Sequence, residues 1–342
     1  MDNNDKIAFL NSLANIIEEN AKTPEEASRF IKDAIKQSHS DESIQTTTDG
    51  RSDPVKRTLE SVPAIDIALI RKYRRYLEAW LNIPIEHFEQ TKGVFISSSD
   101  VRYSKPSGWL TYIPVCAFET NSTFHVSCVP ECEDELRVLL AYNQVTDVVP
   151  RLNDFAQNKK GDGLVESYHK LFALGSPTPQ IDTSSAVLLD YSHFNKYYEF
   201  KRKIHPSLFK LIDPDTTTHQ DYCNMVDEKA HFCVIANDEI ACLTESENIP
   251  NTPDGIISLG INTLKEYRRN GYATAACAAF IKHSQQQGLL PIWECGFDNL
   301  ASQMLAEKLG FRHIGNVYSI STLIAPRKSL SENSHDLKTI GG

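Results

Sequence analysis

The chain has 342 residues, of which 41% are hydrophobic, and its formal net charge is −10 at pH 7. This length predicts two domains, or one domain with a large extension. The acidic balance excludes general nucleic-acid binding, which requires a basic surface, and it is compatible with a cationic substrate. The first residues are polar and acidic, so no secretory leader is expected, and no apolar run reaches the roughly twenty residues of a membrane span.

The eight cysteines are scattered along the chain without a repeating spacing. Cys128 and Cys132 form the only close pair, and no second pair of cysteines or histidines accompanies them. A metal site is therefore not expected. Free thiols are typical of a reducing compartment, so we expect a cytoplasmic protein.

Residues 1–37 are predicted to form a helical hairpin. Apolar residues recur at helical spacing over residues 4–20, and a capping box at residues 23–26 starts the second helix. The apolar stripe needs a partner surface, which is either the body of this protein or a second copy in a homodimer. Residues 38–56 are polar and lack a period, which predicts a flexible linker.

Residues 57–180 are predicted to form a small α/β domain. A helix is expected over residues 65–81, where the basic residues of the run RKYRRY (71–76) fit a solvated face better than an RNA-binding one. Strand patterns occupy residues 94–97, 109–113 and 123–127, and a helix is expected over 133–142. The segment LVESYHKLFAL (164–174) predicts a further helix.

Residues 181–326 form the second predicted domain, and residues 327–342 a disordered tail. An aromatic-rich helix (191–203) precedes a hairpin of two strands (232–236 and 240–244). The next strand (256–263) contains Gly260, which indicates a bulge or a close backbone approach. A bulged or splayed strand leaves N–H and C=O groups free to pair with an extended ligand.

The loop RRNGYA (268–273) follows this strand, and a helix begins at once. The first N–H groups of a helix have no partner inside it, so they can bind phosphate oxygens, which the helix dipole also favours. Gly271 permits a positive φ angle and a close approach of these oxygens. Arg268 and Arg269 can add charge-assisted hydrogen bonds. The segment therefore predicts a phosphate-binding loop.

A second block follows a short buried strand (290–295). Asn299 is expected to cap a helix, with Ser302 three positions later on the same face. Leu305 and Leu309 supply the apolar stripe of this helix, and Gly310 ends it. The predicted order is strand, phosphate loop, helix, strand, helix, strand.

Together the two blocks resemble the acyl-CoA site of the GNAT acyltransferase superfamily. Arg268, Gly271 and Ala273 fill the loop pattern Q/R-x-x-G-x-G/A, and residues 299–311 fill N-x-x-S/A…L-x-E-K-L-G-F. The resemblance covers about residues 232–318 and extends to a subgroup of uncharacterised bacterial GNAT proteins with a long N-terminal extension. It implies an α/β (α+β) chain whose C-terminal GNAT domain, with a mixed, splayed sheet, follows the helical segment and the smaller α/β domain.

The resemblance also implies a reaction: an amine acceptor attacks the thioester of acetyl-CoA directly, and no metal takes part. A backbone N–H near Asn262 or Thr263 would then bind the oxyanion. The residues that the resemblance places around the cofactor are Ile261, Asn262, Thr263, Arg268, Arg269, Asn270, Gly271, Tyr272, Ala273, Thr274, Asn299 and Ser302.

The general acid and the general base are less well defined. Many members of the superfamily carry a tyrosine where this chain has Ala306, so Tyr318, Tyr272 or a water molecule is left to protonate the departing thiolate. Glu294, on the strand after the long helix, is the candidate base, with Glu245 and Glu247 as alternatives. A solvent-facing role for Glu294 is equally open.

Three further alternatives were weighed. Cys277 and Cys295 lack a recognisable His–Asp partner pattern, so a covalent mechanism is not expected. The loss of the usual tyrosine at Ala306 would suit a non-catalytic acyl-CoA-binding or interaction protein. A modifier of one specific protein, or of an aminoacyl-tRNA, would use the same cofactor site. The acceptor stays unnamed, because acceptor pockets on this fold come from variable loops.

Overall fold

The computed structural model describes residues 67–81, 93–104, 112–120, 123–141, 148–158, 165–204, 217–228, 230–246 and 255–322. The helices in these ranges are α1 (Ile67–Lys72), α2 (Arg74–Leu81), α3 (Pro130–Leu140), α4 (Val148–Asn158), α5 (Phe194–Ile204), α6 (Thr217–Glu228), α7 (Tyr272–Gln286) and α8 (Leu300–Lys308). The strands are β1 (Gly93–Ser98), β2 (Tyr112–Glu119), β3 (Thr123–Cys128), β4 (Val165–Leu174), β5 (Ala186–Leu188), β6 (Phe232–Ala236), β7 (Glu239–Glu245), β8 (Ile256–Ser258), β9 (Gly260–Thr263), β10 (Leu290–Gly296) and β11 (Phe311–Thr322). The predicted hairpin (1–37), linker (38–56) and tail (327–342) lie outside the described residues.

The strands form one mixed sheet and one antiparallel sheet. One has seven strands in the order β1-β3-β2-β11-β4-β10-β8, and the other has four in the order β5-β6-β7-β9. The pairs β1–β3 and β8–β10 are parallel, and the remaining pairs are antiparallel. This architecture confirms the predicted mixed α/β fold with a splayed sheet.

Helices cover both faces of these sheets. On one face of the larger sheet, Tyr73 of α1–α2 and Leu77 of α2 pack against Leu171 and Ile292. On the opposite face, α3 and α4 cover the N-terminal strands, whereas α7 and α8 cover β4, β10 and β11. Helix α7 also packs on the smaller sheet, where its small Ala276 contacts β6 and β7. Helices α5 and α6 cover the other face of the smaller sheet.

The segment from Val165 to Leu174 is a strand, so the predicted helix over residues 164–174 was wrong. Leu171, Phe172, Ala173 and Leu174 are each at most 1% exposed, because both faces of the strand are covered. A run that is buried on both faces shows no alternation, and its periodicity does not distinguish strand from helix. The strands that pair with β4 lie more than a hundred residues away in the chain and gave no local signal.

Strand β4 lies between β10 and β11 and is antiparallel to both. We call this pairing of β4 with its two neighbours the joint. The sheet therefore runs continuously across the predicted domain boundary at residues 180 and 181, which stays a prediction. Through the joint, the N-terminal half contributes a strand to the same sheet as the C-terminal motifs.

The other predicted elements agree in kind with the structure but differ in detail. The helix expected over residues 65–81 divides at Tyr73 into α1 and α2. Its basic residues are exposed, whereas Tyr73 and Tyr76 are fully buried, which confirms the solvated basic face. The strand expected over 256–263 divides into β8 and β9. In the described part of the chain, no helix is long and apolar enough to cross a membrane.

Candidate active site

The chain passes from the larger sheet to the smaller one at a single residue, Leu259, which lies between β8 and β9. The register of β8 with β10 ends at Ser258 and Ile292, and the Leu259 N–H donates to the Ile292 carbonyl at 3.0 Å. From Gly260 onward the chain pairs with β7 in the smaller sheet. We call the space between β9 and residues 293–296 of β10 the gap. The structure thus contains the split strand that Gly260 predicted.

The backbone of β9 presents hydrogen-bonding groups to the gap. Leu264 N–H donates to Ala241 of β7 at 3.0 Å. Alternate residues of a strand direct their backbone groups to opposite edges, so Asn262 also turns to β7, and Ile261 and Thr263 turn to the gap. The side chain of Asn262 donates a hydrogen bond to Glu245 Oε2 at 2.9 Å. Of the predicted strand residues, Ile261 and Thr263 therefore supply the backbone groups that an extended ligand could pair with.

The predicted phosphate loop is open and lies at the N-terminus of α7. Gly271 is the N-cap residue, with φ 81° and ψ −6°, and no side chain caps the helix. A Cβ atom at Gly271 would meet nothing within 4 Å, so the space beside this residue is open. Arg269 also has a positive φ of 67°. This cradle fits phosphate oxygens, because exposed N–H groups at a helix N-terminus bind anions.

Two side chains hold the loop in shape. Arg268 Nε donates to the Thr263 carbonyl at 3.3 Å, and Asn270 Nδ2 donates to the Tyr267 carbonyl at 3.2 Å. The loop is thereby tied to the end of β9, and the exposed Arg269 is left facing solvent. Tyr272, Ala273 and Thr274 form the first turn of α7 and are half-buried.

Asn299 and Ser302 lie at the start of α8. Asn299 Oδ1 accepts from Ser302 N at 3.1 Å, so Asn299 is the predicted cap. The Ser302 hydroxyl accepts from Trp293 Nε1 at 3.1 Å, which joins α8 to β10. Both side chains thus have structural roles, and their contact with a cofactor stays a prediction.

Two glutamates lie near the gap on the face opposite α7. Glu294 follows Ile292 by two residues on β10, and its Oε1 is 2.6 Å from Nδ1 of His169 on β4. Glu245 pairs in register with Gly260, accepts from Lys201 Nζ at 2.7 Å through Oε1 and uses Oε2 for Asn262. Because both oxygens of Glu245 are occupied, Glu294 is the better placed of the two to receive a proton.

Tyr318 lies away from the gap. It is 2% exposed, and its hydroxyl donates to Asn153 of α4 at 2.9 Å. Strands β4 and β10 separate β11 from β8, which corresponds to roughly 14 Å at the usual strand spacing. The structure does not bring Tyr318 together with the loop. Ala306, at the usual tyrosine position, is fully buried.

The cysteines near the gap are not activated. Burial raises the pKa of Cys295 to about 11 and the pKa of Cys277 well above its ordinary value. Both thiols are therefore protonated at neutral pH and are poor nucleophiles. All eight cysteines are free thiols, and the described residues contain no group of three or more His, Cys, Asp or Glu side chains that could hold a metal ion.

Sequence reasoning missed His169. The segment that carries it was predicted as a helix of a separate domain, which placed His169 far from the motifs. Only the pairing of β4 with β10, in which His169 lies opposite Gly296, brings it to Glu294. No local signal could have found this contact, because the two residues are 125 positions apart.

These features define an α/β protein with a split strand and an open anion cradle at the N-terminus of a helix. Residues 209–320 match the family model for GNAT acetyltransferases. This match covers about a third of the chain, and the C-terminal part is therefore similar to GNAT acetyltransferases.

One curated relative is the uncharacterised N-acetyltransferase YdfB of Bacillus subtilis strain 168, which is 28% identical over 120 residues. That match covers 31% of this chain and 45% of the relative, so the chain spans less than half the length of the relative it matches. A GNAT acetyltransferase structure from Colwellia psychrerythraea is 14% identical, with a TM-score of 0.44, over 76% of this chain and 98% of that one. A putative GNAT acetyltransferase from Novosphingobium aromaticivorans is 17% identical, with a TM-score of 0.36, over 47% and 67%. Structural likenesses of this degree carry no weight for function.

Proposed function

We propose that this protein is an acetyltransferase that moves an acetyl group from acetyl-CoA to an amine acceptor. The observation that carries the proposal is the gap between β9 and β10, which leads to the open cradle at Gly271. The match of residues 209–320 to the GNAT acetyltransferase family supports it. Acetyl-CoA supplies an activated thioester. The protein would bind and orient acetyl-CoA and the acceptor, and it would deprotonate the acceptor's ammonium group.

Each part of the proposed site has a separate task. The first N–H groups of α7, with Arg268 and Arg269, would bind the pyrophosphate. The backbone groups of Ile261 and Thr263 that face the gap would pair with the amides of the extended pantetheine arm and hold the thioester carbonyl. Glu294 would take a proton from the acceptor ammonium, because only the neutral amine attacks the carbonyl carbon. Tyr318 has no place in this scheme, and water would return a proton to the thiolate.

The cofactor site is tested by calorimetric titration of acetyl-CoA into the wild type, Gly271→Glu and Gly288→Glu. The two glycines flank the same helix, have φ of 81° and 73°, and a Cβ at either would meet nothing within 4 Å. Both variants therefore introduce the same strain and the same charge, but only Gly271→Glu places them in the cradle. We expect affinity to fall by at least roughly a hundredfold in Gly271→Glu and less than about threefold in Gly288→Glu. Equal affinity in the two variants would contradict the proposal.

Turnover is tested by following thiol release from acetyl-CoA with spermidine, kanamycin, tyramine and a lysine-containing peptide as acceptors. A non-catalytic acyl-CoA-binding protein is the second candidate, because Ala306 fills the position of the usual tyrosine and is fully buried. Acetylation of any of these amines above the uncatalysed rate supports the enzyme. Tight acetyl-CoA binding without turnover of any of them favours the binding protein.

A cytoplasmic location belongs to the same proposal. All eight cysteines are free thiols, and free thiols persist in reducing compartments. Thiol titration of freshly purified denatured protein, without added reductant, should count eight thiols. A lower count that rises to eight after reduction would argue for an oxidising compartment.

A further inference from the structure

We propose that His169, contributed by the N-terminal half of the chain, is a positioning residue that orients Glu294 for removal of the acceptor's proton. This inference rests on the proposed function. It concerns a residue outside the 209–320 segment that matches the family. The observation behind it is the short contact between His169 Nδ1 and Glu294 Oε1, at 2.6 Å, across neighbouring strands.

The sheet fixes both side chains on one face. Glu294 lies opposite Leu171, and His169 lies opposite Gly296, so His169 and Glu294 are diagonal neighbours of the antiparallel pair β4–β10. Leu171 packs under α1 and α2, which identifies the face. Helix α7 and its cradle pack on the other face of β10. The cofactor's phosphates and the pair would therefore lie on opposite faces, and an acceptor that enters from the α1–α2 side would meet Glu294 first.

The pair is accessible, although the strand that carries Glu294 is buried. The side chains of His169 and Glu294 are 19% and 30% exposed, and Glu294 is the exposed position within β10. Ile292 is the last residue of β10 that bonds to the β8–β9 segment, through its carbonyl. Glu294, two residues later, is the next residue of β10 whose backbone groups face the gap. A proton donor entering the gap from this face can thus reach the carboxylate.

The described groups that face the pair include Tyr76, Cys116 and, beyond Cys116, Arg102. Tyr76 of α2 and Cys116 of β2 interact electrostatically with Glu294, and Arg102 lies beside Cys116. Burial raises the pKa of Cys116 to about 11 and the pKa of Tyr76 well above its ordinary value. The Tyr76 hydroxyl is fully buried and has no hydrogen-bond partner among the residues that the structure describes. Tyr76 and Cys116 thus stay neutral, and the charged group on this side is Arg102, which lies beside Cys116.

The chemistry assigns each atom of the pair. A carboxylate only accepts hydrogen bonds, so the proton of the pair lies on His169 Nδ1 while Glu294 is ionised. That bond occupies Oε1 and leaves Oε2 to take the proton from the acceptor ammonium. The nitrogen lone pair then forms the new bond to the carbonyl carbon, and the carbon–sulfur bond breaks. The nitrogen loses its second proton as the amide forms, and water carries that proton to the departing thiolate. The proton on Glu294 passes to water.

The test compares His169→Ala, His169→Asn and Glu294→Gln with the wild type, using acetyl-CoA and the amine with the highest turnover among the four named above. We expect kcat to fall by roughly a hundredfold in Glu294→Gln and tenfold or more in His169→Ala. His169→Asn should recover part of the loss, because its amide N–H can donate to Oε1. Calorimetric affinity for acetyl-CoA should change less than about twofold in all three, because the cradle lies on the other face.

The matched control is His193→Ala. His193 also contacts a carboxylate, with Nδ1 2.9 Å from Asp190 Oδ1, and its side chain is 14% exposed. This pair caps the turn before α5 and should leave kcat unchanged. The loss in His169→Ala should fall on kcat and not on KM, because the substitution affects proton removal and not acceptor binding. A purely structural pair would not give this split, nor would it recover activity in His169→Asn.

Unchanged kcat in folded His169→Ala would overturn this inference and leave the proposed function intact. Equal losses in His193→Ala would also overturn it, since a general loss of stability would then explain both. If the wild type fails to bind acetyl-CoA, or turns over none of the four amines, the proposed enzyme fails first, and the pair has no reaction to assist.

Discussion

The two edges of β10 differ in a way that separates stability from binding. At the joint, residues Ile292–Gly296 pair continuously with β4, which in turn pairs with β11 along its whole length. At the gap, the opposite edge pairs with β8 only up to Ile292. One strand thus carries a closed edge that fixes its position and an open edge that offers backbone groups to a ligand.

The joint is closed by both apolar and polar contacts. Its apolar residues on β4 are almost fully buried on both faces. Polar residues of the joint bond to the neighbouring strand β2: Glu119 Oε2 accepts from Tyr168 of β4 at 2.5 Å and from Asn316 of β11 at 2.8 Å. Buried polar groups that are satisfied in this way hold one arrangement of strands. We therefore expect substitutions at the joint to change stability and substitutions at the gap to change ligand affinity.

The largest expected effect is that of Leu171→Ala at the joint. Leu171 is 0% exposed, and the variant would leave a cavity under α1 and α2, with a loss of about 2–5 kcal/mol in the free energy of unfolding. Urea denaturation measures it. Leu300→Ala, at a residue that is 63% exposed, is the control and should change stability by less than about 0.5 kcal/mol. A loss below about 1 kcal/mol in Leu171→Ala would show that the joint is loosely packed.

Tyr73→Phe should cost somewhat less. The Tyr73 hydroxyl donates to the Pro291 carbonyl at 2.7 Å and accepts from Leu174 N at 2.9 Å, so it bridges β10 and β4. Burial raises its pKa to about 12, which keeps the hydroxyl protonated. Removing it leaves two buried backbone groups unsatisfied, at a cost of about 1–3 kcal/mol. Tyr191→Phe, at a residue that is 57% exposed, should be nearly neutral. Equal midpoints for the two variants in urea would refute the bridging role.

Gly271→Ala and Gly288→Ala sharpen the comparison from the side of the gap. Each forces a Cβ onto a left-handed backbone, so each should lose about 1–2 kcal/mol of stability. Only Gly271→Ala introduces a methyl group into the phosphate cradle, and it should weaken acetyl-CoA binding by about tenfold. Thermal unfolding and calorimetry measure the two quantities on the same samples. If both variants lose affinity equally, strain in α7 and not the cradle controls binding.

The smallest expected effect is the pH dependence of stability that His313 causes at the joint. Burial lowers the pKa of His313, although its contact with Asn316 opposes the shift. In the unfolded chain His313 therefore binds a proton near pH 6.5, whereas in the folded chain it binds one only at lower pH. The free energy of unfolding falls as the pH drops below about 6.5. One such group contributes at most about 1.4 kcal/mol per pH unit. His313→Gln should flatten the loss of stability between pH 7 and pH 5, measured by urea midpoints. An unchanged slope would place the acid sensitivity elsewhere.

The sequence predicted the C-terminal site because its signals are local. Gly271 and the helix after it, the cap at Asn299 and the break near Gly260 each depend on residues within a few positions of one another. Such signals persist whatever the rest of the chain does. The assignment of Tyr318 as the general acid did not rest on a local signal. It depended on the distance between β11 and the gap, which the spacing of residues in the sequence does not give.

The tertiary structure alone decided where β4 lies and what His169 contacts. The residues from Leu171 to Leu174 are buried by strands far away in the chain, so their own pattern is equally compatible with a helix. The sequence by itself predicted the break in the strand at Gly260, the phosphate loop and the resemblance to the GNAT superfamily. The arrangement in which the N-terminal half completes the sheet beside β10 follows from long-range pairing and two-sided burial, which only the folded chain contains.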